Sequence, residues 1–167
     1  KKERKKKVMK RILVLMLSAL LLLSLCACGE KKGEEAPVDL AAAAQKAVSG
    51  LDSEAAPLLQ ETNEEMLYAL YPGLRDISLK QWVLYAHPVT GAPCEVLMIE
   101  VAAADVGAAQ SALQARIDTA ADDTFYPDNA EGWKNNAKVS VNGSYLVMAV
   151  LPDGVKRPAA FDAIFTA

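Results

Sequence analysis

A run of 14 residues, Ile12 to Leu25, is apolar except for Ser18 and Ser24, and Lys1 to Arg11 before it is dense in positive charge. Crossing a bilayer as a helix takes about 20 apolar residues, so this run is too short to be a conventional span. A cationic flank followed by a short apolar stretch is instead the pattern of a signal peptide, with the flank held on the cytoplasmic side. Gly29 to Pro37 contains Glu, Lys, Gly, Ala and Pro and no large apolar side chain. Such a segment has nothing to bury and is expected to be a disordered tether. Residues 1–27 and 28–37 thus stand outside any folded core. The remaining segment, 38–167, is long enough for one core and too short for two.

The residues that close the apolar run specify the kind of signal. Leu25-Cys26-Ala27-Cys28-Gly29 resembles the lipobox of bacterial lipoproteins, with Leu25 three positions before Cys28, small Ala27 directly before it and Gly29 directly after. The resemblance implies cleavage before Cys28 and a diacylglyceryl group on its thiol. Cys26, preceded by the large Leu25, is the poorer match and is expected to leave with the signal. Two acyl chains suffice for stable anchoring. The expected location is the outer face of the cytoplasmic membrane, held through Cys28.

Charge divides the chain at the same place. Residues 1–27 hold eight Lys or Arg and one acid, so 10 of the 18 basic and 20 of the 21 acidic residues lie in 28–167, a net charge of −10. That balance argues against a nucleic-acid surface, which needs a basic patch. It argues equally against a domain lying flat on an anionic membrane.

Periodicity within 38–167 predicts an α+β domain. Leu40, Ala44, Ala47, Val48 and Leu51 share one helical face, with Asp39 as N-cap and Gly50 as stop. Thr62-Asn63-Glu64-Glu65 reads as a capping box opening a helix with Met66, Leu67, Leu70 and Tyr71, which ends at Pro72-Gly73. Lys80–Ala86 and Cys94–Val101 read as strands around a Pro- and Gly-containing loop. Asp105 is expected to cap a helix with the stripe Val106, Ala109, Leu113, Ile117 and Ala120. Asp128 to Asn136 suggests a short helical turn capped by Asp128. Lys138–Val141 and Ser144–Leu151 read as strands joined through Asn142-Gly143, a type I′ hairpin signal. Tyr145 to Leu151 is apolar on both faces, as in a strand covered on both sides. Phe161 to Phe165 is expected in a terminal helix. The expected architecture is a mostly antiparallel four-stranded sheet of two hairpins with packed helices, in the order ααββαββα.

From about Leu58 onward, several pieces in one order carry a family resemblance. A Trp82-Val83-Leu84-Tyr85 strand is followed by Gly91-Ala92-Pro93-Cys94-Glu95 turning into a second apolar strand. A helix with Arg116 comes next, then Tyr126-Pro127, then Gly143-Ser144-Tyr145-Leu146-Val147. In these pieces the chain resembles a family of uncharacterised lipoproteins of Gram-positive anaerobes, known as a domain of unknown function. Its helix near Arg116 carries fewer basic residues than the family pattern. The resemblance implies the address and the fold, and no activity.

Chemistry-bearing residues are sparse. His87 is the one histidine; it cannot build a His-based metal site, and no nucleophile or orienting acid is identifiable beside it. Cys94, the one thiol expected after processing, opens an apolar strand and reads as a small buried group; no CxxC pair exists. Glu95 at the start of a strand and Arg116 beside the stripe of the next helix are expected to meet as an ion pair if that helix packs back. Such a pair would be either a structural bridge at the sheet edge or a polar feature of a ligand groove. Asp122, Asp123, Asp128 and Glu131 crowd one loop but lack the spacing of an EF-hand. Phe125, Tyr126 and Trp133 beside them would form a contact patch if exposed, or pin the loop if buried. No phosphate loop, GxSxG elbow or HExxH motif occurs.

These readings predict no cofactor, no metal and no enzymatic activity. The expected function is a membrane-anchored extracytoplasmic module that binds an envelope protein or other envelope component. One alternative is a small-ligand receptor or transporter accessory subunit, although a two-lobed solute receptor needs far more chain. A second alternative is a cell-wall-acting enzyme, whose best carboxylates would be Glu95, Asp122 and Asp123.

Overall fold

Side chains alternate across the strand Glu95–Val101, and this alternation sorts the whole domain into layers. Glu95, Leu97, Ile99 and Val101 point to one side of the sheet; Val96 and Met98 point to the other, and all six are buried. A strand buried on both faces demands cover on both faces. The computed structural model, which describes residues 38–51, 58–89, 91–156 and 161, provides it as helix, sheet, helix.

The described residues contain four α-helices and five strands in one compact unit that begins at Val38. In chain order these are α1 (Leu40–Ser49), β1 (Gln60–Glu61), α2 (Glu64–Leu70), β2 (Leu79–Ala86), β3 (Glu95–Val101), α3 (Val106–Ala121), α4 (Pro127–Asn136), β4 (Lys138–Asn142) and β5 (Tyr145–Val150). Short 3₁₀ turns at Pro72–Leu74 and Ala103–Asp105 follow α2 and β3. The sheet is antiparallel throughout, in the order β1-β2-β3-β5-β4. The mixed fold, with its two hairpins β2–β3 and β4–β5, matches the expectation. The count of four strands does not, because β1 adds a fifth. Its two residues pair with Tyr85 and Ala86 at the sheet edge, and a two-residue strand carries no periodicity to read. The expected helix order likewise needs α4 inserted before β4.

Helices α2, α3 and α4 lie on the Glu95 side of the sheet. There Leu67, Leu113, Ile117 and Trp133 join Leu84, Leu97, Ile99, Leu146 and Met148 in one core. Helix α1 covers the opposite side, packing Leu40, Ala44, Ala47 and Val48 on Val83, Val96, Met98 and Val147. Phe161 is buried in that second core; the rest of the expected terminal helix lies outside the described residues. So do the signal, Cys28 and the expected tether.

The ends of elements show where local rules prevailed. Asp39 caps α1 by accepting from Ala42 N, as expected. Thr62 does not cap α2: the N-cap is Asn63, whose side chain accepts from Met66 N at 3.0 Å. Thr62 N is instead drawn onto Leu84 O at 2.9 Å, extending the β1 pairing, so the helix starts one residue later. Asp105 makes no side-chain cap to α3. Nor does Asp128 cap α4, because Pro127 occupies the first turn and Tyr126 is the N-cap. In the β4–β5 hairpin only Gly143 has positive φ, at 57°. Asn142 and Tyr145 pair across the turn. Positive φ at the first central position alone is the type II′ pattern; type I′ needs it at both.

Candidate functional site

Glu95 is the buried charged residue among those described. It opens β3 at one end of the sheet, opposite Ala86 of β2 and Val150 of β5. It therefore sits in the middle strand, so the version of the pair as a bridge at the sheet edge does not hold. A carboxylate this deep requires partners; Arg116 and Tyr71 supply them, and Trp133 backs the guanidinium.

Arg116 lies one residue before Ile117 of the α3 stripe, so it emerges at the flank of the helix closest to the sheet. Its Nη2 donates to Glu95 Oε2 at 2.8 Å, with Nε 3.4 Å from Oε1. Tyr71 lies just beyond α2, held by its N–H on Leu67 O at 2.8 Å, and its hydroxyl donates to Glu95 Oε1. Trp133 of α4 lies under the guanidinium, 4.6 Å from its carbon to the ring centroid, a cation–π arrangement. The indole N–H donates to Gly91 O at 3.2 Å, tying α4 to the β2–β3 loop. That approach is close: a Cβ on Gly132 would lie 2.7 Å from Pro93 Cγ.

The electrostatics fit a closed unit. Burial, followed by the Glu95 carboxylate, holds the Tyr71 hydroxyl well above its ordinary range, so it remains a donor. Burial works against the Arg116 charge, but its hydrogen bonds and attraction to Glu95 outweigh it and shift the group upward. Cys94 next door is buried, and desolvation, with Glu95 second, pushes its thiol up to about 11. It is a neutral core group at physiological pH, with none of the thiolate character a nucleophile needs.

The structure brings Glu95 and Arg116 together and adds Tyr71, which the sequence reading treated as part of an apolar helix face. Its signal was present: a tyrosine ending an apolar stripe needs a partner for its hydroxyl. Trp133 is fully buried and cannot belong to a contact patch, because α4 turns it inward onto Arg116. Phe125 and Tyr126 are 88% and 63% exposed. His87 is half-buried at the start of the β2–β3 loop, its Nδ1 accepting from Val89 N at 3.0 Å. Asp123 accepts from Phe125 N at 2.8 Å, a local turn bond of the kind aspartate favours. Among the described residues no group of three His, Cys, Asp or Glu side chains is arranged to hold a metal ion. An open cleft of about 440 Å³ runs beside Arg116, bounded by Gly91, Thr119, Asp122, Asp123 and Phe125; Glu95 does not line it.

Fold and cluster together define a small α+β domain, an antiparallel five-stranded sheet covered on both faces, with an internally neutralised ion pair at one end. The chain belongs to the family described as Domain of unknown function (DUF4358), whose model matches residues 53–151. The match takes in all five strands and leaves out α1. No curated protein and no solved structure matches the chain.

Proposed function

We propose that this protein is a lipid-anchored extracytoplasmic module that binds another envelope component and carries out no chemistry of its own. The address rests on one sequence observation: Leu25, Ala27, Cys28 and Gly29 follow a 14-residue apolar run and a cationic flank. The non-catalytic half is supported by the way the Glu95 cluster is used. Both carboxylate oxygens accept from Arg116 or Tyr71, and the guanidinium is stacked on Trp133. A general acid or nucleophile must reach a substrate atom; these groups are turned on one another. The cleft beside Arg116 favours the small-ligand receptor as second reading, but that cleft is open and excludes Glu95.

Labelling cells with radioactive palmitate tests the anchor. Wild-type protein should take up label and sediment with membranes, whereas Cys28→Ala should do neither. Unlabelled wild-type protein in the soluble fraction would sink the reading.

A further inference from the structure

We propose that the end of the domain carrying Phe125 and Tyr126 docks a cationic polypeptide segment of a partner protein. This rests on the reading of the chain as an envelope binding module and names the surface and the partner's chemistry.

Two neighbouring aromatic side chains stand 88% and 63% exposed on the α3–α4 connection. The loop that presents them is fixed on both sides: Asp123 Oδ1 accepts from Phe125 N at 2.8 Å, and Ala130 N donates to Tyr126 O at 3.0 Å within the first turn of α4. Val89, 61% exposed, adds a third apolar side chain at this end of the sheet, on the β2–β3 loop. Rigid aromatics held in solvent are the usual anchors of protein contacts, since little side-chain freedom is lost when they are covered. Phe125 also forms one wall of the cleft beside Arg116.

The charge around these aromatics selects the partner. From Ile117 to Gly132 the chain carries Asp118, Asp122, Asp123, Asp128 and Glu131 and no Lys or Arg. Arg116, the cation at the cleft wall, is balanced by Glu95 at 2.8 Å. Carboxylates around aromatic faces suit Lys or Arg side chains flanked by apolar ones, through ion pairs and cation–π contact. The same charges repel an anionic lipid surface. The first described residues lie at the other end of the sheet. Val38 enters the domain at the far end of the sheet, its N–H on Tyr145 Oη at 3.4 Å, and Leu40 N donates to Gln81 Oε1 at 3.2 Å. Tyr145 and Gln81 both pair with Glu100, five residues along β3 from Glu95, roughly 17 Å away at 3.3 Å per residue.

Fluorescence anisotropy of the full chain in non-ionic micelles tests this, with a labelled ten-residue peptide of alternating lysine and leucine and a glutamate–leucine peptide as control. The lysine peptide should bind and the glutamate peptide should not. Phe125→Ala/Tyr126→Ala preserves net charge and removes only exposed groups, so its melting temperature should hold while lysine-peptide affinity falls at least tenfold. Asp122→Asn/Asp123→Asn should weaken binding similarly and flatten its salt dependence. Unchanged affinity in the aromatic double variant, or no binding of the lysine peptide, would overturn the proposal. So would aromatic-dependent dimerisation in sedimentation, or aromatic-dependent adsorption to phosphatidylcholine vesicles, which would give the patch to a second copy or to lipid. Palmitate labelling of Cys28 is read separately, so loss of the anchor and loss of the docking surface are distinguishable.

Discussion

Arg116 reaches from α3 to Glu95 at the first position of the central strand and closes on it at 2.8 Å, with both side chains largely out of solvent. The pair fixes where the C-terminal half of α3 sits over the sheet, and so where the loop after it emerges. Removing one partner leaves the other charge buried. Arg116→Ala is expected to cost about 3–5 kcal/mol, whereas Glu95→Gln/Arg116→Met should recover much of that loss, since paired removal leaves no orphan charge. Urea unfolding of the three proteins measures it; an Arg116→Ala loss below about 1 kcal/mol would mean that water solvates the carboxylate.

Alkaline pH should destabilise the domain in two stages. Cys94 and Tyr71 both have pKa values raised by folding. The unfolded chain therefore loses these protons first, and stability falls as pH rises. For Cys94 the loss begins near the ordinary thiol value of 9 and ends near 11, with a slope of at most about 1.4 kcal/mol per pH unit. Tyr71 adds its own loss above 10. Cys94→Ala should remove the first stage and Tyr71→Phe most of the second in melts taken from pH 7 to 11, since Tyr85, raised by partial burial and then Glu61, keeps a smaller loss above 10.

Tyr71→Phe should also lower stability at pH 7, by about 1.5–3 kcal/mol, because it deletes a hydrogen bond to a buried carboxylate. Tyr71→Phe in the Glu95→Gln background should cost less. Equal costs in both backgrounds, read from a double-mutant cycle, would show that the hydroxyl does not act through Glu95.

Gly132 reverses an ordinary helix rule. Alanine is favoured over glycine in a helix interior by about 1 kcal/mol, yet the new Cβ would lie 2.7 Å from Pro93 Cγ. Gly132→Ala should therefore destabilise, by roughly 1–3 kcal/mol for an overpacked contact. Adding Pro93→Ala should restore part of the loss in thermal melts.

At the start of α2 the two neighbours should behave differently. Asn63→Ala removes the cap on Met66 N and is expected to cost about 1 kcal/mol. Thr62 Oγ1 is buried without a hydrogen-bond partner. Thr62→Val should be neutral or stabilising, because it deletes an unsatisfied polar atom while keeping shape. A clear loss for Thr62→Val with none for Asn63→Ala would return the cap to Thr62.

The amino-acid sequence by itself determined the long elements. Leu40, Ala44, Ala47 and Val48 repeat at helical spacing and bury one face of α1. Ala109, Leu113, Ile117 and Ala120 do the same for α3, and the doubly apolar Tyr145–Val150 became an interior strand. Periodic burial is written residue by residue, so it is legible without a fold. The meeting of Glu95 with Arg116 was legible too, given one assumption about helix packing. Tertiary structure alone decided what periodicity cannot encode. It set a two-residue edge strand against Tyr85 and Ala86, and it moved a helix start from Thr62 to Asn63 by pulling Thr62 onto β2. It turned Trp133 inward onto a guanidinium while leaving Phe125 in solvent. It also brought the Tyr71 hydroxyl to a carboxylate 24 residues away. Each of these turns on which neighbour a side chain or backbone group finds across the chain, and a buried charge or hydroxyl settles where partners from distant segments converge.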